Sequence, residues 1–323
     1  MKSICYIVPY FGILPENFQI WLLGCKYNPT IDWIIYTDDK RCFDYPKNVK
    51  VQYCSFEEMK KRIQSFYDFE VDLSRPWRLA LMKPAYGEIF SDDLKGYDFW
   101  GYCDIDLMWG DIRKFYTEEI LNNFERIGFQ GHSTLFPNNI KLNLQYRTII
   151  PNQINYIDVF SGKLDFSWDE SGINMIYTYL NKKSLEFREV CFAHLDKYKK
   201  GFYIKHRPKN EDNYNCYQIF KWVKGKLIRY SLVGSTIREE EMMYIHFWCR
   251  PMDYKVTDTS GNMPIYIYPD VMTDKKLDIS QKTLHKYGTR SQLSFIFDMI
   301  CKNRKKLSFK KILVLIKRYA EKK

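Results

Sequence analysis

The sequence predicts an α/β fold on an open sheet, and three observations carry that expectation. Short buried apolar runs alternate with helical patterns from the first residues onward. An aromatic strand, Tyr97-Asp98-Phe99-Trp100-Gly101-Tyr102, runs into Cys103-Asp104-Ile105-Asp106-Leu107-Met108-Trp109-Gly110, which puts two carboxylates at the carboxyl end of a strand, where open α/β sheets hold their ligands. No linker rich in Pro, Gly or Ser, no repeat and no low-complexity tract interrupts the 323 residues, so one continuous domain over residues 1–290 is expected, with a separate tail over 291–323.

The elements follow in order. Ile4 to Val8 is a buried first strand, which Pro9 turns into the loop Tyr10-Phe11-Gly12. Glu16 to Lys26 is helical, and Trp33 to Tyr36 is a second strand ending in Thr37-Asp38-Asp39, which completes a βαβ opening. Val49 to Tyr53 is a third strand. Ser55-Phe56-Glu57-Glu58 then reads as a capping box, starting a helix with Phe56, Met59, Ile63 and Phe66 on one face. Pro84 suits the first turn of a helix running to about Phe90. Ile127 to His132 and Thr134 to Asn138 continue the sheet after the Asp-x-Asp strand. Later come a helix over Gly172 to Leu180, a hairpin over Ile219 to Tyr230 and a strand over Met243 to Phe247.

Composition narrows the class. The nine cysteines (5, 25, 42, 54, 103, 191, 216, 249, 301) are odd in number, scattered and never in Cys-x-x-Cys spacing, which argues against a disulfide framework and a structural zinc site and fits a reducing cytosol. The amino-terminal apolar run is too short for a signal peptide, and no stretch reaches the length of a membrane span. Residues 302–323 hold ten Lys or Arg and one Glu, which is +9 of the total +11 and leaves +2 for everything before them. An almost neutral body offers no basic groove, so nucleic acid is not an expected partner. In the tail, Leu307, Ile312, Leu313, Ile316, Tyr319 and Ala320 recur at roughly helical spacing between lysine and arginine pairs. That is a basic amphipathic helix, which either lies on an anionic membrane surface or packs its apolar stripe on the body.

Several residues have the chemistry of a site. On an extended strand Asp104 and Asp106 project to the same side, and two such carboxylates make most sense around a divalent cation. His246, inside a short apolar strand, is either a core histidine or a third ligand suited to Mn²⁺. Arg250 faces the same diphosphate or forms an ordinary ion pair, and Lys83 reaches a phosphate from the other side or is simply solvated. Asp169 and Glu170, in Trp168-Asp169-Glu170-Ser171-Gly172, either cap the helix that follows or act on an acceptor hydroxyl. Gly131, His132 and Asn138 hydrogen-bond sugar hydroxyls or close turns. No phosphate-binding glycine loop, nucleophile elbow or His-Glu-x-x-His motif is present, which removes P-loop, serine-hydrolase and hydride-transfer readings.

An ordered series now carries a resemblance. Pro9-Tyr10-Phe11-Gly12, Thr37-Asp38-Asp39, Lys83-Pro84-Ala85-Tyr86-Gly87, Phe99 through Asp106, Gly131-His132-Ser133, Trp168-Asp169-Glu170 and Tyr244-Ile245-His246-Phe247 together resemble a bacterial family of capsule and cell-surface polysaccharide glycosyltransferases with the GT-A fold, over about residues 4–254. The chain departs from that family in Trp248-Cys249-Arg250, where a Gln-Lys-Arg type run is expected. The resemblance implies a single Rossmann-like GT-A domain with a mixed central sheet. It also implies a Mn²⁺ (or Mg²⁺) dependent transferase moving a hexose from a UDP-sugar to a lipid-linked oligosaccharide at the inner membrane face, with retention of configuration. Pro9, Tyr10, Phe11, Gly12, Thr37, Asp38, Lys83, Asp104 and Arg250 would hold the nucleotide, and Asp104, Asp106 and His246 the metal. The alternatives are a sugar nucleotidyl- or sugar-phosphate transferase and a catalytically silent subunit of the polysaccharide machinery.

Overall fold

The βαβ opening is present, with wider bounds than the sequence gives. β1 (Ile4–Pro9), β2 (Ile31–Thr37) and β3 (Val49–Tyr53) are parallel, with a helix over Phe18–Lys26 between the first two. Pro9 does not break β1: it sits opposite Tyr36 at the strand's last position, and the ladder continues as Tyr10 N donates to Tyr36 O at 2.8 Å. The computed structural model describes residues 1–186, 191–195, 201–205, 207, 213, 216–248, 250 and 252–289. The amphipathic tail expected over 291–323 lies outside the described residues.

The strand β4 (Phe99–Cys103) is buried along its whole length and pairs parallel with β1, from Ile4 opposite Phe99 to Ile7 opposite Tyr102. After β5 (Leu107–Trp109) and β6 (Arg126–Gln130), β7 (Ser133–Pro137) runs antiparallel to β4, from Phe99 opposite Pro137 to Cys103 opposite Ser133. β8 (Ser184–Leu185) completes a seven-stranded mixed sheet of order β3-β2-β1-β4-β7-β6-β8. The reversal between β4 and β7 has a direct consequence. The residues just before β7 must lie beside those just after β4, so the turn Gly131-His132 meets Asp104. The sequence places His132 in the preceding strand, but that strand ends at Gln130.

Alternation along β1 sorts the core into two faces. Ile4, Tyr6 and Val8 join Trp21, Trp33 and Trp109 on one side, whereas Cys5 and Ile7 join Trp100, Tyr102 and the helix over Phe56–Gln64 on the other. That helix carries the expected capping box: Ser55 Oγ accepts from Glu58 N, and Glu58 Oε2 accepts from Ser55 N at 2.7 Å. Met59 and Ile63 are buried on its inner face, with Phe56 and Phe66 partly buried beside them.

The chain divides into two compact units, Met1–Phe192 with Met242–His246, and Ala193–Glu241 with Phe247–Lys323. It passes from the first unit to the second within β9 (Phe192–His194). In the second unit the expected hairpin is β10 (Tyr217–Val223) and β11 (Lys226–Val233), closed by Lys224 (φ 47°) and Gly225 (φ 82°). Two consecutive left-handed residues match the right-handed twist of the flanking strands, which glycine supplies without strain. β12 (Thr236–Met242) leads into β13 (Tyr244–His246), and with β14 (Asp253–Lys255), β15 (Ile265–Ile267) and β16 (Val271–Thr273) a sheet of order β12-β11-β10-β15-β16-β14 forms. β13 itself pairs antiparallel with β5 in the first unit, Tyr244 opposite Trp109 and His246 opposite Leu107. Among the described residues no helix is long and apolar enough to cross a membrane.

Candidate active site

Asp104 is the first residue beyond β4. Its N–H donates to His132 O at 3.0 Å and its carbonyl accepts from the Trp21 indole at 3.2 Å, so the main chain is fixed on both sides. Lys83 reaches its carboxylate, with Nζ to Oδ1 at 2.5 Å, and also donates to Gly131 O at 2.8 Å. The lysine comes from a 3₁₀ stretch, Pro76–Ala85, which carries Pro84 at its end and passes into a short helix, Tyr86–Ile89; the sequence instead starts a helix at Pro84. Burial alone would lower the Lys83 ammonium, but Asp104 and Asp169 outweigh it and hold the group above its ordinary value.

Strict strand alternation does not bring Asp106 beside Asp104, because extended geometry stops at Cys103 and the chain bends at Ile105 and Asp106 before β5 begins. Ile105 is buried by the bend, and both carboxylates turn toward β13. His246 Nε2 lies 3.2 Å from Asp106 Oδ1 and 3.8 Å from Asp104 Oδ2. One oxygen from each aspartate and one imidazole nitrogen lie within 4.8 Å of one another. Two half-buried carboxylates and one buried imidazole are a donor set that fits Mn²⁺ or Mg²⁺, and Asp104 presents Oδ2 to it because Oδ1 is taken by Lys83.

The acidic pair lies on the other side of the Gly131 peptide. Trp168–Gly172 forms a turn of π-helix ahead of the helix Ile173–Tyr179, so the expected helix begins with a local widening around Asp169 and Glu170. Glu170 Oε1 accepts from Gly131 N at 2.9 Å, while Asp169 accepts from Ser167 Oγ at 3.0 Å and its main-chain oxygen accepts from Tyr102 OH at 3.0 Å. A Cβ on Gly131 would stand 2.1 Å from Asp169 Oδ2, so only glycine allows this approach. Burial pushes the Asp169 carboxyl up to about 6; Lys83 opposes the shift and Glu170 adds to it. Lys83, Asp104, Gly131 and Glu170 therefore form one hydrogen-bonded network, with the Asp169 carboxylate packed against Gly131.

The loop after β1 carries the expected nucleotide-side residues. Gly12 N donates to Asp38 Oδ1 at 2.7 Å, Phe11 is buried against Phe56, Tyr10 OH donates to Ile13 O at 3.4 Å, and Thr37 Oγ1 accepts from Asp39 N at 3.1 Å. Asp39, which the sequence reading leaves without a role, holds this loop: it accepts from Leu14 N at 2.9 Å and takes both oxygens to Arg41, whose hydrogen bonds keep its carboxyl far below the usual range. Arg41 is its neighbour at i+2, a pairing visible in the sequence. The contacts of two further residues are as follows. Asn138 spends its amide at the amino end of β4, donating to Leu94 O and Tyr97 O. Arg250 belongs to the second unit, where its Nε donates to Pro269 O and its guanidinium lies over the Phe202 ring.

A family model spans residues 6–276, and the chain belongs to that family, described as a family of unknown function (DUF6625). No curated protein matches the sequence. Among solved structures it is similar to the galactosyltransferase LgtC in complex with donor and acceptor sugar analogues, at 11% identity over 61% of this chain and 77% of that one, TM-score 0.34. An active-site mutant of LgtC gives 10% identity over 78% and 89%, TM-score 0.38. The apo glycosyltransferase GlyE of Streptococcus pneumoniae TIGR4 gives 13% over 58% and 45%, TM-score 0.32.

Proposed function

We propose that the chain is a metal-dependent glycosyltransferase of the GT-A type, moving a hexose from a UDP-sugar to a lipid-linked oligosaccharide in surface polysaccharide synthesis. The single observation that carries this reading is the convergence of Asp104, Asp106 and His246, which lie 142 residues apart in the chain at their widest, at the carboxyl end of a central strand. Held by these three side chains, Mn²⁺ or Mg²⁺ would offset the charge gathering on the departing diphosphate. Lys83 adds a fixed positive charge beside Asp104. The loop Pro9 to Gly12 with Thr37 and Asp38 is the nucleotide side of the site, and the main chain of the Gly131-His132 turn borders the sugar.

Asp169 and Glu170 face the acceptor in this reading. With its carboxyl raised to about 6, Asp169 is poised to take a proton from an acceptor hydroxyl near neutral pH, and Glu170 holds the Gly131 peptide beside it. The transfer retains the sugar's configuration in this reading, which product analysis tests. The basic stripe within residues 302–323 supports an attachment to an anionic membrane face, where the lipid-linked acceptor would be met.

Transfer from a UDP-hexose in Mn²⁺ tests the proposal, with Asp106→Asn as the control. The variant should keep its fold, since removing one of two close carboxylates lessens their repulsion, and should lose turnover by about a hundred- to a thousandfold. Normal Mn²⁺-dependent turnover in Asp106→Asn would end the metal reading. Formation of UTP and hexose-1-phosphate from the UDP-hexose on addition of pyrophosphate, with no glycoside formed, would point to a nucleotidyltransferase.

A further inference from the structure

His132 touches both metal-ligand elements at once. Its main-chain oxygen accepts from Asp104 N at 3.0 Å, and its imidazole lies against that of His246, ring centroids 4.3 Å apart and planes 38° apart. The ring is itself fixed. Its Nδ1 is 2.9 Å from the Tyr244 hydroxyl, and Phe192 closes a further side, edge-on to His132 and stacked on Tyr244. Tyr244 and His246 are two apart on β13 and so project from the same face of the strand.

The torsion that swings an imidazole about its Cβ–Cγ bond is soft, so a liganding histidine needs neighbours to hold its plane. Resting on the metal reading above, we infer that His132, set in place by the Tyr244 hydroxyl, positions His246 and Asp104 for the cation. This role takes the place of a sugar contact for the His132 ring and adds Tyr244, which sequence reasoning did not single out, to the centre. The alternation of Tyr244 with His246 was the signal available for it.

Titration of the full chain with Co²⁺ alone, followed by its visible ligand-field band, tests the inference without any turnover. Tyr244→Phe removes one hydroxyl and His132→Phe keeps a flat ring against His246 while losing the nitrogen. Each variant should bind Co²⁺ about ten- to a hundredfold more weakly and shift the band. The double variant should be no worse than His132→Phe, because the two residues act as one chain. Melting in EDTA confirms that each variant folds, and Tyr244→Phe decides should His132→Phe not fold. Unchanged affinity and band in Tyr244→Phe, alongside lost binding in Asp106→Asn, would overturn the positioning role and leave the metal site standing. No Co²⁺ binding by the unaltered chain would overturn both.

Discussion

At the amino end of β4, Asp98 accepts from the backbone and hydroxyl of Ser3, and Asn138 ties Leu94, Tyr97 and Asn143 together. At the carboxyl end of the same strand, six residues later, Asp104 meets Lys83, His132 and His246, with Asp106, Asp169 and Glu170 close by. Both ends have acidic residues next to buried aromatic strands. The difference lies in what those groups do. At the first end the polar side chains mostly serve main-chain groups that would otherwise go unmet, and the ion pair to Lys2 is at the surface. At the second end four carboxylates and two imidazoles are gathered with one lysine to balance them, more charge than closing the turn requires. A strand end becomes a site when its charges exceed the backbone's needs.

Asp169 gives the largest contrast between the two ends. Its folded-state pKa of about 6 lies above the ordinary 3.8, so the native state binds the proton more tightly than the unfolded chain does. Its contribution to stability is present below about pH 4 and is lost as pH rises to about 6, the opposite of Asp98, whose carboxyl is lowered by its hydrogen bonds from Ser3. In metal-free protein, Asp169→Asn should therefore gain stability relative to wild type as pH is raised from 4 to 7, by at most about 3 kcal/mol. The same variant should lose transfer to acceptor and keep its UDP-sugar affinity. Urea melts at a series of pH values beside donor calorimetry check both parts, and a variant less stable than wild type at pH 7 would make Asp169 a structural cap.

A smaller effect is expected at the closed end. Asn138→Ala removes two donated hydrogen bonds and the acceptor for Asn143, which should cost about 1–3 kcal/mol of stability. Metal binding and turnover of the folded fraction should match wild type. A selective loss of donor-sugar affinity at normal stability would return Asn138 to the sugar site.

What the sequence revealed was mostly local. The capping box at Ser55, the hairpin over Ile219 to Tyr230 and the bounds of β3 follow from patterns a few residues long, and each is found where expected. Asp104, Asp106 and His246 were legible as residue types with metal chemistry, but their meeting depends on a bend at Ile105 and on β13 pairing with β5, neither of which leaves a periodic trace. The same holds for Lys83 on Asp104 and for Glu170 on the Gly131 peptide, contacts that span 21 and 39 residues. Turn placement failed for a different reason. Gly131 and His132 follow a run of strand-forming residues, and only the antiparallel return of β7 shows that the chain reverses there. Asn138 has a side chain equally suited to a sugar or a neighbouring carbonyl, and packing alone decides between them.

The central claim, that one cation held by Asp104, Asp106 and His246 joins the protein to a nucleotide diphosphate, is tested most directly by thermal melting with UDP, with Mn²⁺ and with both. UDP and Mn²⁺ together should stabilise the protein, by about 2.7 kcal/mol at 100 times the dissociation constant, while UDP alone does not. Stabilisation by UDP that is indifferent to Mn²⁺, or none by UDP or any other nucleotide with Mn²⁺ present, would contradict it.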